Sequence, residues 1–234
     1  MKTKIQLTLL AVAVALLAGC ETSGLSTREH GGVSYPGYIL NLPPDATGAP
    51  AKKITAPIRL AVVQVGEVAP PQAMLQRLAG NSPLIATVIG LPLAGEADER
   101  NSYNRTKVTD TNYAARIQSL CQLARTAGAD YVFLFGGNVD SWRKENPLRI
   151  LDATIVGAVL VPGSRVNLEG KGAGALIEAA TGRPVFFLSV EGKNSALTPD
   201  WLADGKTKEL QTQLRDELVG KLTDDLLAKL AAQP

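Results

Sequence analysis

The sequence predicts an α/β fold, more narrowly α+β, built on one mixed sheet. Apolar runs alternate with helical segments up to residue 136, and three strand-like runs then follow with no helical spacer. A long helix with leucine at every fourth position ends the chain. Strands separated by helices pair in parallel, whereas strands in direct succession pair antiparallel. We therefore expect early strand–helix alternation, an antiparallel meander and a C-terminal amphipathic helix packed on the sheet.

In the first half, β-branched and aromatic runs bounded by proline or glycine are typical of buried strands. Helices are expected where a polar cap or a proline opens a segment and glycine closes it. These signals predict, in order, a strand at 58–65, a helix at 72–78, a strand at 85–91, a helix from Thr111 or Asn112 to 127, and a strand at 129–136.

The second half predicts the meander and the last helix. Strand-like runs occupy 153–161, 166–178 and 185–191, and the last two are joined by Thr181-Gly182-Arg183-Pro184, which has hairpin-turn chemistry. Six leucines then recur every four residues between Leu210 and Leu230. Each step drifts about 40°, so the leucines sweep about 200° around a helix. This broad apolar face suits a helix lying across a sheet and excludes a narrow coiled-coil seam.

The amino terminus predicts export. Lys2 and Lys4 precede an apolar stretch at 5–17, which is shorter than the about 20 residues that a membrane-spanning helix requires. The stretch ends in Leu17-Ala18-Gly19-Cys20, which resembles the lipobox of bacterial lipoproteins. The resemblance implies that a signal peptidase recognises Leu17, Ala18 and Gly19 and cleaves before Cys20. The Cys20 thiol then carries diacylglycerol, and its freed amine carries a further acyl chain such as palmitate.

Two or more acyl chains anchor a protein stably to a membrane. Glu21 follows the cysteine, whereas the usual inner-membrane retention signal of lipoproteins is aspartate there. The expected location is the outer membrane, facing the periplasm. We predict a signal peptide at 1–19, a lipidated Cys20 with a flexible, Pro- and Gly-rich tether at 20–57, and a single globular domain at 58–234.

Composition excludes several classes of function. The chain has 24 Lys and Arg residues, of which Lys2 and Lys4 are removed with the predicted signal peptide. The remaining 22 basic side chains balance 22 acidic ones, so the mature chain has no net positive charge that would indicate nucleic-acid binding. The only histidine, His30, lies in the predicted tether, which disfavours histidine-dependent catalysis or zinc binding. Cys121 is expected to be a buried helix residue. Glycines at 170–174 are expected to permit a bulge or close packing, and no cofactor or metal is predicted.

The element order resembles a family of envelope lipoprotein domains. These are the curli-secretion lipoprotein, the amino-terminal domain of TolB and the lipoprotein activators of cell-wall synthases. The similarity spans about 58 to 230 and lies in an opening strand at 59–63, a helix-to-strand joint at 127–132 and a strand with its Thr-Gly turn at 175–182. The curli pore inserts two long hairpins per subunit, whereas here only 153–161 is apolar on both faces.

These observations favour a noncatalytic, lipid-anchored periplasmic protein that serves a cell-envelope machine as an accessory or assembly module with an envelope protein partner. The alternative is a subunit of an oligomeric outer-membrane secretion channel, which leaves a homo-oligomer open. An enzyme that acts on envelope polymers through acidic residues alone is less favoured. Trp142 and Trp201 fall in predicted connections, where aromatic residues serve interfaces or cap the core.

Overall fold

The computed structural model describes residues 28–31, 54–65, 67–92, 111–145 and 164–232. The strands are β1 (Arg28–Gly31), β2 (Ile58–Gln64), β3 (Ile85–Gly90), β4 (Tyr131–Glu145), β5 (Ser164–Glu178) and β6 (Pro184–Thr198). The helices are α1 (Gln72–Ala79), α2 (Thr111–Thr126) and α3 (Ala203–Ala231), and a 3₁₀ turn at Asp200–Leu202 precedes α3. Within the described ranges, no helix combines the length and the apolar composition that crossing a membrane requires.

The sheet is mixed, as predicted. Its order is β3-β2-β4-β5-β6, and β1 also pairs with β4. β2 runs parallel to both β3 and β4, whereas β4, β5 and β6 form an antiparallel meander. The β5–β6 turn contains Gly182 with a φ of 71°, a left-handed conformation that glycine adopts without strain. The predicted α/β class, its strand–helix alternation and an antiparallel meander are therefore confirmed. The first strand of the meander is β4 and not the run predicted at 153–161, because β4 and β6 occupy the two edges of β5.

Helices cover the two faces of the sheet unequally. α1 and α3 pack on one face, and all six leucines at four-residue spacing in α3 are buried there, as predicted. α2 packs on the opposite face through Ile117, Leu120, Cys121 and Ala124. We call these the α3 face and the α2 face. On the α3 face, buried residues occur along the length of β5, from Val166 to Leu176. On the α2 face, the buried residues of β5 are confined to the second half of the strand.

The glycines of the meander allow α3 to lie close to the sheet. A Cβ atom on Gly170 would stand 2.6 Å from Cδ1 of Leu218, and one on Gly192 would stand 2.7 Å from Cδ1 of Leu214. Gly172 faces Leu222 in the same way, at 3.1 Å. The prediction that the glycines at 170–174 permit close packing is confirmed.

Two strands extend beyond their predicted ends. β4 was expected to end at 136 and continues to Glu145, while β6 was expected to end at 191 and continues to Thr198. In these extensions α3 covers one face only, so polar residues alternate with buried ones and the continuous apolar pattern of a central strand is lost. Placing Trp142 in a connection was therefore wrong, because it lies within β4.

The segment predicted as a plain tether contributes to the sheet. β1 pairs antiparallel with β4, with His30 opposite Asp140 and Arg28 opposite Trp142. Ile54, also assigned to the tether, is buried in the core. The strand predicted at 153–161 lies outside the described residues.

Candidate functional site

The predicted lipid-attachment site lies outside the described residues. Cys20 and the signal peptidase recognition residues Leu17, Ala18 and Gly19 precede β1. Their role stays a prediction from the sequence.

Exposed apolar residues concentrate at one end of the meander. Trp201 is 70% exposed, and Leu197 and Leu202 are 59% and 44% exposed. Trp201 and Leu202, which we call the distal surface, lie at the start of α3, where β4, β5 and β6 end side by side, since Glu145 pairs with Ser164 and Ser164 pairs with Thr198. Leu197 points to the α2 face of β6, because Gly192 faces α3 and successive strand residues alternate between the faces. Clustered apolar side chains on a protein surface mark interaction sites more often than scattered ones do.

The distal surface is tied to the sheet through the start of α3. The backbone N–H of Leu202 donates to the carbonyl of Pro199 at 3.0 Å, which closes the 3₁₀ turn. Arg143 of β4 pairs with Asp204 in the first turn of α3. Further along α3, the side-chain amide of Gln211 donates a hydrogen bond to the Ser141 hydroxyl at 3.3 Å. These contacts place Trp201 at a defined position relative to the sheet.

The structure does not bring Trp142 and Trp201 together. Ser141 and Arg143 both contact α3, and successive residues of a strand point to opposite faces. Trp142 therefore points to the α2 face, where it is half-buried. Trp201 lies at the start of α3, so the two candidates belong to different surfaces.

The α2 face of the meander carries charged pairs around Trp142. Glu169 lies opposite Lys193 with 3.4 Å between their charged atoms, and Lys171 lies opposite Glu191 at 3.7 Å. Exposed pairs of this kind contribute at most about 1 kcal/mol each. They keep this part of the face polar and solvated.

A narrow cleft lies beside β4, between the points where its described pairings with β2 and with β1 end. The pairing of β2 with β4 ends at Phe135, and the pairing of β1 with β4 reaches only to Val139. Among the described residues, 136–138 thus have no strand partner on this edge. The space beside them has a volume of about 30 Å³. Its main lining residues are Gln64, Gly136, Gly137, Arg215, Leu218 and Leu222. We call it the sheet-gap cleft.

Two polar side chains of this cleft lack partners in the described part of the chain. Gln64 is only 8% exposed, yet its amide makes no hydrogen bond there. Arg215 is exposed and makes no ion pair there. Sequence reasoning missed this site, although Gln64 is a visible signal because it interrupts an apolar run in a central strand.

Cys121 is a core residue, as predicted. It is 3% exposed and packs in the cluster between α2 and the sheet. Burial raises the pKa of its thiol to about 11. The thiol is therefore neutral at physiological pH and poorly nucleophilic. Among the described residues, no three His, Cys, Asp or Glu side chains converge as metal ligands.

A bidentate ion pair joins β2 to the residue before β4. Arg59 donates from Nε to Asp130 Oδ2 at 2.9 Å and from Nη2 to Asp130 Oδ1 at 2.6 Å. The backbone N–H of Asp130 donates to the carbonyl of Arg59 at 2.8 Å. The hydrogen bonds from Arg59 hold the pKa of the Asp130 carboxyl below its usual value. This pair stabilises the parallel β2–β4 junction.

Stability at low pH should depend on Asp130. Because its pKa is lower in the folded state, its contribution is complete above the unfolded pKa of about 3.9 and is lost as pH falls through the folded pKa. Thermal unfolding followed by circular dichroism at pH 7 and at about pH 2.5 should show a smaller acid-induced fall in Tm for Asp130→Asn than for the wild type. The control Asp225→Asn changes an exposed residue of α3 and should show the same acid-induced fall in Tm as the wild type. Equal falls in Tm for all three proteins would contradict the role of Asp130.

The described elements define an α/β protein with a mixed sheet and helices on both faces. No protein-family model and no curated protein matches the sequence. The chain is similar to a predicted lipoprotein from Caulobacter crescentus CB15, at 21% identity over 52% of this chain and 84% of that chain, with a TM-score of 0.31. The dodecameric PelC from Paraburkholderia phytofirmans is 13% identical over 79% of this chain and 91% of that one, with a TM-score of 0.26.

Lipoprotein GNA1162 from Neisseria meningitidis is 14% identical over 68% of this chain and 99% of that one, with a TM-score of 0.27. At these identities and TM-scores, the likenesses do not transfer a function to this chain.

Proposed function

We propose that this chain is a noncatalytic, lipid-anchored lipoprotein of the outer membrane that faces the periplasm and holds an envelope protein partner. The anchor is supported by the lipobox-like Leu17-Ala18-Gly19-Cys20 and by Glu21. The observation that carries the binding role is the distal surface, where Trp201 keeps 70% of its surface exposed next to Leu202, which is 44% exposed.

Three properties of the distal surface suit protein recognition. Tryptophan is enriched among the residues that dominate binding energy, because one side chain buries a large apolar area with few rotatable bonds. The backbone hydrogen bond from Leu202 to Pro199 and the pair of Arg143 with Asp204 both hold the turn that presents Trp201, which reduces the ordering needed on binding. Charged side chains of the first α3 turns, such as Lys206 and Glu209, provide a polar rim.

Photo-crosslinking in cells tests this role with matched positions. Leu202, in the distal surface, and Leu123, on α2, are both leucines that are 44% exposed. A photoreactive amino acid at 202 should yield one discrete adduct with an envelope protein, and the same group at 123 should not. Trp201→Ser should weaken the adduct at 202 by about tenfold or more, because truncating a central anchor costs at least about 1–2 kcal/mol.

The anchor is tested in the same strains. Cys20→Ala should move the protein from the outer-membrane fraction to the soluble periplasmic fraction and reduce the adduct. Equal adducts at 202 and 123, or none at 202, would contradict the proposed surface. An adduct with a second copy of the chain, together with a large closed ring in light scattering, would favour the secretion-channel subunit instead.

A further inference from the structure

We propose that the sheet-gap cleft binds a carboxylate group, with Arg215 pairing with its charge and the Gln64 amide donating a hydrogen bond to it. The inference rests on the geometry between β2, β4 and α3, and it depends neither on the lipid anchor nor on the distal surface.

The first argument is the unsatisfied amide of Gln64. Buried polar groups in native proteins are nearly always hydrogen-bonded to protein, water or a ligand. Gln64 is 8% exposed, lines the cleft and has no hydrogen-bond partner in the described residues. Its neighbours in β2, Val62 and Val63, are fully buried apolar residues. The Gln64 amide is therefore positioned to form a hydrogen bond with a group that enters the cleft.

The second argument is charge. Arg215 lies on the edge of α3 that borders the cleft, since Leu218, Val219 and Leu222 follow it at helical spacings of three, four and seven and also line the cleft. None of the described residues that line the cleft is acidic. Arg215 is thus a cation without a partner in the described residues, beside an amide donor. This combination selects an anion.

The third argument is size. A buried water requires about 10–15 Å³, so a cavity of about 30 Å³ holds about two waters or the two oxygens of one carboxylate. The planar guanidinium of arginine matches a carboxylate in a two-bond geometry. The remainder of the ligand would lie outside, against the apolar rim at Val219. The occupant is therefore the end of a larger molecule, either a chain-terminal carboxylate or an acidic side chain.

The test is a titration of the purified full-length protein with sodium acetate, compared with sodium chloride at equal ionic strength. Methyl-labelled leucines report the site by NMR. Signals of Leu218 and Leu222, which line the cleft, should shift saturably with acetate, whereas the signal of Leu230 at the far end of α3 should not. Equal shifts with chloride, or no saturable shift up to about 50 mM acetate, well above a millimolar dissociation constant, would overturn the proposal and leave ordered water as the occupant.

Variants separate binding from a structural role. Arg215→Gln should raise the dissociation constant for acetate at least tenfold, while Lys208→Gln, which removes an exposed cation elsewhere on α3, should leave it unchanged. Gln64→Met should abolish the acetate shifts and yet raise the Tm, because it removes a buried amide that lacks a partner. A lowered Tm with acetate binding retained would overturn the role of Gln64.

Peptides distinguish the two sources of the carboxylate. A short peptide with a free C-terminus and no acidic side chain is compared with an amidated peptide that carries one glutamate. Binding of the first alone identifies a chain terminus, and binding of the second identifies an acidic side chain. Binding of neither, when acetate binds, would overturn recognition of a protein carboxylate.

Discussion

Gly170→Val should destabilise the folded protein by about 2–3 kcal/mol, through overpacking between α3 and the sheet. A Cβ atom at this position would lie 2.6 Å from Cδ1 of Leu218 and 3.2 Å from Cγ of Leu214, and valine adds two further methyl groups. Valine is otherwise favoured over glycine in strands, so any loss of stability must arise from the clash. Denaturant unfolding followed by circular dichroism measures the change.

A glycine in open space provides the control. Apart from the backbone of α3 and the two chain neighbours, no atom of the described residues lies within 4 Å of a Cβ placed on Gly220, which belongs to α3 itself. Gly220→Ala should therefore stabilise the protein by about 0.5–1 kcal/mol, since alanine is the better helix former. If Gly170→Val were neutral, α3 could not lie as close to β5 as the structure places it.

The elements that the sequence predicts best are those buried by helices on both sides of the sheet. Runs such as 58–65 and 129–136 are apolar on both faces because α1 or α3 covers one face and α2 covers the other. The extensions of β4 and β6 were missed because they are covered on one face only. There, Asp140 and Trp142 alternate with Val139 and Ser141, so the strand resembles a polar connection.

Nonlocal pairing explains the remaining differences. β1 has the sequence Arg-Glu-His-Gly, which carries no apolar period, and its conformation depends on the open edge of β4. Trp201 could be proposed from sequence because it stands between the meander and the last helix. The sheet-gap cleft could not, because Gln64 and Arg215 are far apart in the chain and meet only where β2 ends beneath α3.

Leu214→Ala should cost about 2–5 kcal/mol, the range for truncating a fully buried leucine. Leu214 is fully buried and lies over both β5 and β6, since Cβ atoms on Gly170 and Gly192 would both meet its side chain. Leu202→Ala, at a leucine that is 44% exposed, should be nearly neutral. Denaturant unfolding of the two variants gives the comparison, and similar losses would contradict the assigned packing of α3.

Combining Leu214→Ala with Gly192→Ala should recover part of the loss. Gly192→Ala alone is destabilising because its Cβ would stand 2.7 Å from Cδ1 of Leu214, but in the double variant the new methyl enters the space that the leucine vacates. We expect a coupling energy of about 1 kcal/mol or more, as for residues in direct contact. Leu226→Ala removes an equally buried leucine about 18 Å further along the helix, so its effect should add to that of Gly192→Ala. Additive effects in both pairs would show that β6 and α3 do not interlock at Gly192.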